Sequence, residues 1–226
     1  AKSLVVGPGE SIQKAINSAH SGDVIRIGPG TFAGGVTIDK SVKLIGSGAS
    51  RTIIKGGGPV LTIGKAFAQS EPKVTISKVK ITGGRTTSSP ISKFYVDKKN
   101  VIALGGGIAI PPGKYFRDHI TPGATVRVTD SVITNNRVGP TATVPIGPPC
   151  PGGRNCPFAY AGGGGIDNWG ALTLERTEVN HNLAAGVASD ATGGGIDSPQ
   201  GSLNLLKSTI TSNRAIASVP NGRFAE

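Results

Sequence analysis

The 226-residue sequence predicts an all-β solenoid of short stacked strands with a single helix near the N-terminus. Three observations lead there. A block of about a dozen residues recurs without gaps, apolar and polar residues alternate in nearly every segment, and thirty-five glycines punctuate the gaps. A collagen-type glycine period is absent, as is any apolar run near the ~20 residues of a membrane helix, so a triple helix and a helical membrane span are excluded.

Taken in order, residues 3–6 are an apolar segment, followed by Gly7, Pro8 and Gly9. From Ser11, the residues Ile12, Ala15, Ile16 and Ala19 fall at i, i+3, i+4 and i+7, with Ser11 as N-cap and Gly22 as a stop. Beyond Asp23, short alternating segments occupy 25–27, 36–38, 42–44, 61–63, 74–76 and 79–81. Residues 125–137, 171–183 and 203–214 then align. In register, Val126, Leu172 and Leu203 correspond, as do Val128, Leu174 and Leu205, then Ile133, Val179 and Ile210, then Asn136, Asn182 and Asn213. Val74, Ile76 and Ile81 fit the same template, with Gly84 at the Asn position. Each later copy is preceded by Gly-Gly-Gly-Ile, at 105–108, 163–166 and 193–196.

Such a unit cannot bury its apolar side alone, whereas stacked copies form a continuous core. Alternation points the Ile, Val and Leu columns inward. Equivalent Asn residues at a turn can bond one another from rung to rung, and Asn136, Asn182 and Asn213 are read as such a ladder. Asp130, Arg176 and Lys207 form an outward charged column.

The opening VGPGESIQKAINSAHSGDVIRIGPGTFAGGVTIDKSVKLIGSG, the rung VTISKVKITGG and the repeated GGGIDN…LTLERTEVNHN resemble the pectin-lyase-like right-handed parallel β-helix superfamily, and most closely its secreted bacterial repeat proteins. The resemblance runs over nearly the whole chain. It implies one right-handed parallel β-helix domain over 1–226, with the strand and helix of 1–22 capping one end. The superfamily contains lyases, glycoside hydrolases, esterases and adhesins, so chemistry has to be argued from residues. No C-terminal cap is recognisable after Arg214, which leads us to expect an open end suited to stacking, to an end-to-end homo-oligomer or to a further downstream region.

The net charge of +11 favours a polyanionic partner, such as an acidic polysaccharide or a cell-surface glycan. The charges are scattered without a basic block, which argues against a dedicated nucleic-acid binder. Cys150 and Cys156 lie in one turn-rich stretch and suit a small loop disulfide in an oxidising compartment. With a start at Ala1 and no Met, which a cleaved export signal or a trimmed chain explains, they favour a secreted protein.

Insertions must leave a solenoid at its turns and so locate its specialised face. Three are read here, at 85–104, 109–123 and 138–162. The second carries Lys114, Tyr115, Arg117 and His119, and Arg137 is placed beside it. Eliminative cleavage of a uronate chain requires a cation against the carboxylate, a base for the adjacent proton and an acid for the leaving oxygen, and these residue types supply all three.

Asp167 and Asp197, each following Gly-Gly-Gly-Ile, are expected to point outward on adjacent rungs about 4.8 Å apart, near the carboxyl spacing of a retaining glycosidase. Trp169 could stack on a sugar, and His181 is a further candidate contact. No cofactor is required, although Asp167, Asn168 and Asp197 could hold Ca²⁺. The function expected is therefore action on an acidic polysaccharide, foremost as a lyase. The alternatives are a non-catalytic carbohydrate-binding or adhesion module, and a glycoside hydrolase using the paired aspartates.

Overall fold

The computed structural model describes residues 1–89, 101–116, 119–139, 159–186 and 190–217. It is a parallel β-helix. Sheet A runs along its whole length in seven parallel strands, Ser3–Val6, Val24–Ile27, Lys43–Ile45, Lys73–Ser77, Thr125–Thr129, Ala171–Glu175 and Ser202–Leu206. Sheet B stacks Gly30–Ala33, Thr52–Lys55, Lys80–Thr82, Val132–Thr134, Glu178–Asn180 and Thr209–Thr211. Sheet C stacks Val36–Ile38, Leu61–Ile63, Ile108–Ile110, Ile166–Asn168 and Ile196–Asp197.

The repeat register seen in the sequence is the register of the strands: Val128 pairs with Leu174 and Leu174 with Leu205, while Ile133 pairs with Val179 and Val179 with Ile210. Inward residues of sheets A, B and C form one core, with Ile25, Leu44, Ile54, Ile76, Ile81, Val128, Ile166 and Leu174 fully buried. Helix α1, Ile12–Ser18, begins where the Ser11 hydroxyl accepts from the Lys14 N–H at 3.3 Å. Its Ile12 and Ile16 side chains join the core at the first rungs. At the other end Leu203, Leu205, Leu206, Ile210 and Ile216 are exposed, because no described residue stacks on them.

Each corner has a distinct physical device. Between sheets A and B the chain turns on a single left-handed residue, Lys78, Asp130, Arg176 or Lys207. Arg176 Nε donates to Asp130 Oδ1 at 2.6 Å, so the charged column includes an ion pair across the rungs. After sheet B the left-handed positions are Gly83, Asn135, His181 and Ser212, and the Asn ladder follows at the next residue. Asn136 Nδ2 donates to Asn182 Oδ1 and Asn182 Nδ2 to Asn213 Oδ1, both at 3.0 Å. The same oxygens accept from the Asn136 and Asn182 backbone N–H groups at 3.0 Å.

The long gaps are more ordered than their sequence suggests. Their ends pair as two further parallel sheets. Sheet D stacks Arg85–Thr86, Arg137–Val138, Leu183–Gly186 and Arg214–Ala217, and sheet E stacks Val101–Leu104, Ala159–Gly162 and Asp190–Thr192. Between them lies a second small core of Ala103, Val138, Ala161 and Ala184. The Gly-Gly-Gly tract is the seam where this lobe meets the coil. Gly163 has φ +70°, and a Cβ on Gly164 would collide with the Gly194 carbonyl oxygen and the Leu183 backbone.

Candidate functional site

Residues 111–123 leave the coil at the corner between sheets C and A. They form a short antiparallel hairpin in which Tyr115 pairs with Ile120 and Phe116 with His119. Lys114 is exposed, and its backbone N–H donates to the Thr121 hydroxyl at 2.9 Å. Arg117 lies outside the described residues, as do Cys150 and Cys156. Arg137, expected beside this group, is the first residue of its sheet D strand and registers with Arg85 and Leu183. The hairpin follows sheet C and Arg137 follows sheet B, so the width of a sheet C strand lies between them.

Sequence reading missed how the cations align. Sheet A carries an outward cation on each of four successive strands: Arg26, Lys43, Lys73 and Arg127, all exposed. Lys43 and Arg127 share one column through Thr75. Arg26 stands two positions to one side of that column and Lys73 two to the other. At ~4.8 Å per strand the four span roughly 15 Å. Arg127 pairs with Glu175. Among the described residues Arg26, Lys43 and Lys73 make no ion pair. Residues 1–89 hold twelve Lys and Arg against four Asp and Glu. Of those acids, Glu10 and Asp23 accept backbone N–H groups and Asp39 pairs with Lys65 at 2.9 Å. The charges scattered along the chain thus become a ladder when wound.

A second feature lies on the outer face of sheet C. A groove of about 490 Å³ runs over Thr37, Thr62 and Ala109, flanked by Ser88, Ser89 and Leu104 on the lobe side. Thr37 registers with Thr62, Thr62 with Ala109, Ala109 with Asp167 and Asp167 with Asp197, so the two aspartates follow on the next two strands of sheet C, beyond the groove. The expected solvent-facing pair needs correction here. Asp167 is on the outward side of its strand, yet it is only 1% exposed, because sheet E packs beside it. Its neighbour Asp197 is half-buried and accepts from the Tyr160 hydroxyl at 2.6 Å and the Thr192 hydroxyl at 2.8 Å. Gly162 makes room for this cluster, since a Cβ there would press on Asp197 Oδ2.

Burial raises the Asp167 pKa well above its ordinary value, the charge of Asp197 adds to the rise, and the nearby Trp169 indole offsets part of it. Burial likewise raises the Tyr160 phenol, together with its bond to Asp197. Both Asp167 Oδ1 and Trp169 Nε1 are buried without a hydrogen-bond partner among the described residues.

These residues do not fit the expected Ca²⁺ set. The Asn168 side chain is fully buried: its Nδ2 donates to Ser198 Oγ and the Ser202 carbonyl, and its Oδ1 accepts from the Gly170 N–H. Among the described residues no cluster of three His, Cys, Asp or Glu is placed to hold a metal ion. His181, exposed at the corner after sheet B, lies within 3.2 Å of Asn180 Oδ1 and belongs to neither face.

No family model and no curated protein matches the chain. Among solved structures it is similar to an alginate lyase from Paenibacillus sp. str. FPU-7, at 12% identity and a TM-score of 0.31, over 92% of this chain and 99% of that one. A likeness at that level carries no argument about chemistry.

Proposed function

We propose that this β-helix binds an acidic polysaccharide across the outer face of sheet A and cleaves it by β-elimination. The observation that supports the reading is the ladder of Arg26, Lys43, Lys73 and Arg127 on successive strands. A polyuronate presents a carboxylate on each sugar, and a chain lying along the solenoid axis meets one cation per rung. Thr75, Ser77 and Thr125, also outward, stand beside the cations, and Thr173 follows Arg127 on the next strand, as hydrogen-bonding partners for sugar hydroxyls.

In the elimination, a cation against the uronate carboxylate acidifies the adjacent C–H. A base removes that proton, the electron pair forms the C=C bond as the C–O bond to the next sugar breaks, and an acid protonates the leaving oxygen. The outward positions of the four cation-bearing strands contain no His, Tyr or acid. The base and acid are therefore assigned to the hairpin, His119 and Tyr115, which precedes the Thr125–Thr129 strand in the chain. Lys114 would add positive charge at that corner, while Arg137 has no part in this site.

The lack of acid–base groups on the strands themselves also favours a second reading, binding without cleavage. Incubation with pectate, alginate and glycosaminoglycans separates the two. Ultraviolet absorbance from unsaturated product, abolished in His119→Ala with binding retained, supports the lyase. Binding without product supports the second reading, and neither binding nor product refutes both.

A further inference from the structure

The outer face of sheet D carries a second row of cations, which the sheet A reading does not use. Arg85 registers with Arg137, Arg137 with Leu183 and Leu183 with Arg214, so three of four successive rungs place an arginine in one column. All three arginines are exposed, while Thr86, Val138 and Ala184 at the alternate positions are buried. The backbone beneath the column is fixed. The N–H groups of Arg85, Arg137, Leu183 and Arg214 donate to the carbonyls of Gly57, Gly84, Asn136 and Asn182 at 2.7 to 2.9 Å. On the coil side a Cβ on Gly58, Gly106, Gly164 or Gly194 would collide with the backbone of Arg85, Arg137, Leu183 or Arg214 in turn. Among the described residues none of the three arginines is in an ion pair. The sequence outside the described residues holds six Lys and Arg against three Asp and Glu, so its balance is positive as well.

From this geometry we infer that sheet D is a second anion-binding face, separate from sheet A, which takes a sulfated polysaccharide, with Arg85 and Arg137 clamping one sulfate and Arg214 meeting another about 10 Å further along. Arg85 and Arg137 stand in register about 4.8 Å apart, and like charges placed so are destabilising until an anion lies between them. The kind of anion follows from the guanidinium fork. A carboxylate or a phosphodiester has only two free oxygens, which one fork occupies, whereas a sulfate monoester has a third for the other fork. Asn135 and Ser212, exposed at the corner before the column, and Thr87, exposed just past Arg85, flank it with hydrogen-bonding groups for sugar hydroxyls. The sheet D strands and the corner residues before them include no Phe, Tyr or Trp on which a base could stack, which favours a sulfated sugar over a single-stranded nucleic acid.

The test is calorimetry of the intact protein with size-defined dextran sulfate, unsulfated dextran of the same length and single-stranded oligothymidylate, each over a salt series. Dextran sulfate has no carboxylate, so it does not report on uronate recognition by sheet A. The expected result is salt-sensitive binding of dextran sulfate, none of dextran, and affinity for oligothymidylate lower by about tenfold or more. Arg85→Gln and Arg137→Gln each weaken dextran sulfate binding about tenfold, while Lys43→Gln, which removes the same charge from sheet A, changes it less than about twofold. The double variant Arg85→Lys with Arg137→Lys keeps the charge, loses both forks and binds about fivefold more weakly than wild type. Thermal melts unchanged in these variants show that the exposed side chains were removed without unfolding. The inference is overturned if dextran sulfate does not bind, if oligothymidylate binds as tightly, if Lys43→Gln costs as much as Arg137→Gln, or if the double lysine variant binds like wild type. Polyuronate binding is measured in Arg137→Gln as well and is expected to be unchanged, so failure at sheet D leaves the sheet A reading intact.

Discussion

Replacing Asn182 by Ala removes the middle of the ladder that ties the turns after sheet B together. In the folded chain Asn182 Oδ1 accepts the Asn136 backbone N–H and Nδ2 at 3.0 Å each, and its Nδ2 donates to the Ile133 carbonyl and Asn213 Oδ1, also at 3.0 Å. Three of these four neighbours keep another partner, since Asn136 Nδ2 still reaches the Ile81 carbonyl, Asn213 Oδ1 still accepts the Asn182 N–H, and the Ile133 carbonyl stays in the parallel ladder of Val132–Thr134 with Glu178–Asn180. The Asn136 N–H loses its partner in a site where Asn136 is 1% exposed. At about 1 to 3 kcal/mol for a buried group left unsatisfied, the substitution costs roughly 1 to 3 kcal/mol. Asn213→Ala, in the half-exposed last rung, costs no more than about 1 kcal/mol because water can replace the lost bonds. Urea unfolding followed by circular dichroism measures both, with native-state hydrogen exchange at Asn136 as a local check. If Asn182→Ala falls within about 0.5 kcal/mol of wild type, the ladder is not a principal tie and the reasoning fails.

Gly164→Ala places a methyl group against the Gly194 carbonyl and should lower the melting temperature sharply or block soluble expression, whereas Gly28→Ala, with only ordinary contact to the Val6 carbonyl, should be near neutral. Asp167 has a folded pKa raised above its unfolded value, so ionisation of the unfolded state erodes stability as pH rises through the ordinary carboxylate range and up to the folded pKa. Asp167→Asn should therefore raise the melting temperature at pH 7, and the gain should vanish in acid below that range. Asp23 behaves oppositely. The His20 and Lys2 backbone N–H groups hold its carboxyl below the usual range, so its stabilisation is present above that range and is lost as pH falls through the lowered pKa. Asp23→Asn should flatten that acid limb, as read by thermal melts across pH.

How much was legible in the sequence follows from which forces leave a local pattern. Period-two alternation marked Val126, Val128, Leu172 and Leu174, and a fixed place three residues after Ile133, Val179 and Ile210 marked the Asn ladder, because each rung repeats the same inward chemistry. Sheets D and E were hidden. Strands such as Leu183–Gly186 and Ala159–Gly162 face a thin core of alanines, so their Ala and Gly residues read as loop. The same lobe explains Asp167, since alternation set its side of the strand correctly but could not show that sheet E packs beside it. Tyr160 and Thr192 were missed for the same reason. The cation ladder was present as Arg26, Lys43, Lys73 and Arg127 at outward positions, yet their spacings along the chain are irregular because the intervening turns differ in length.

The most direct test of the central claim is binding of size-defined polyuronate to the wild-type protein and to Arg26→Glu, Lys43→Glu and Lys73→Glu, each over a salt series. The account predicts affinity that falls steeply with salt, a loss of about tenfold or more for each charge reversal, and no effect of Thr62→Tyr in the sheet C groove. Polyuronate binding unchanged by the three reversals, or lost in Thr62→Tyr, would contradict it.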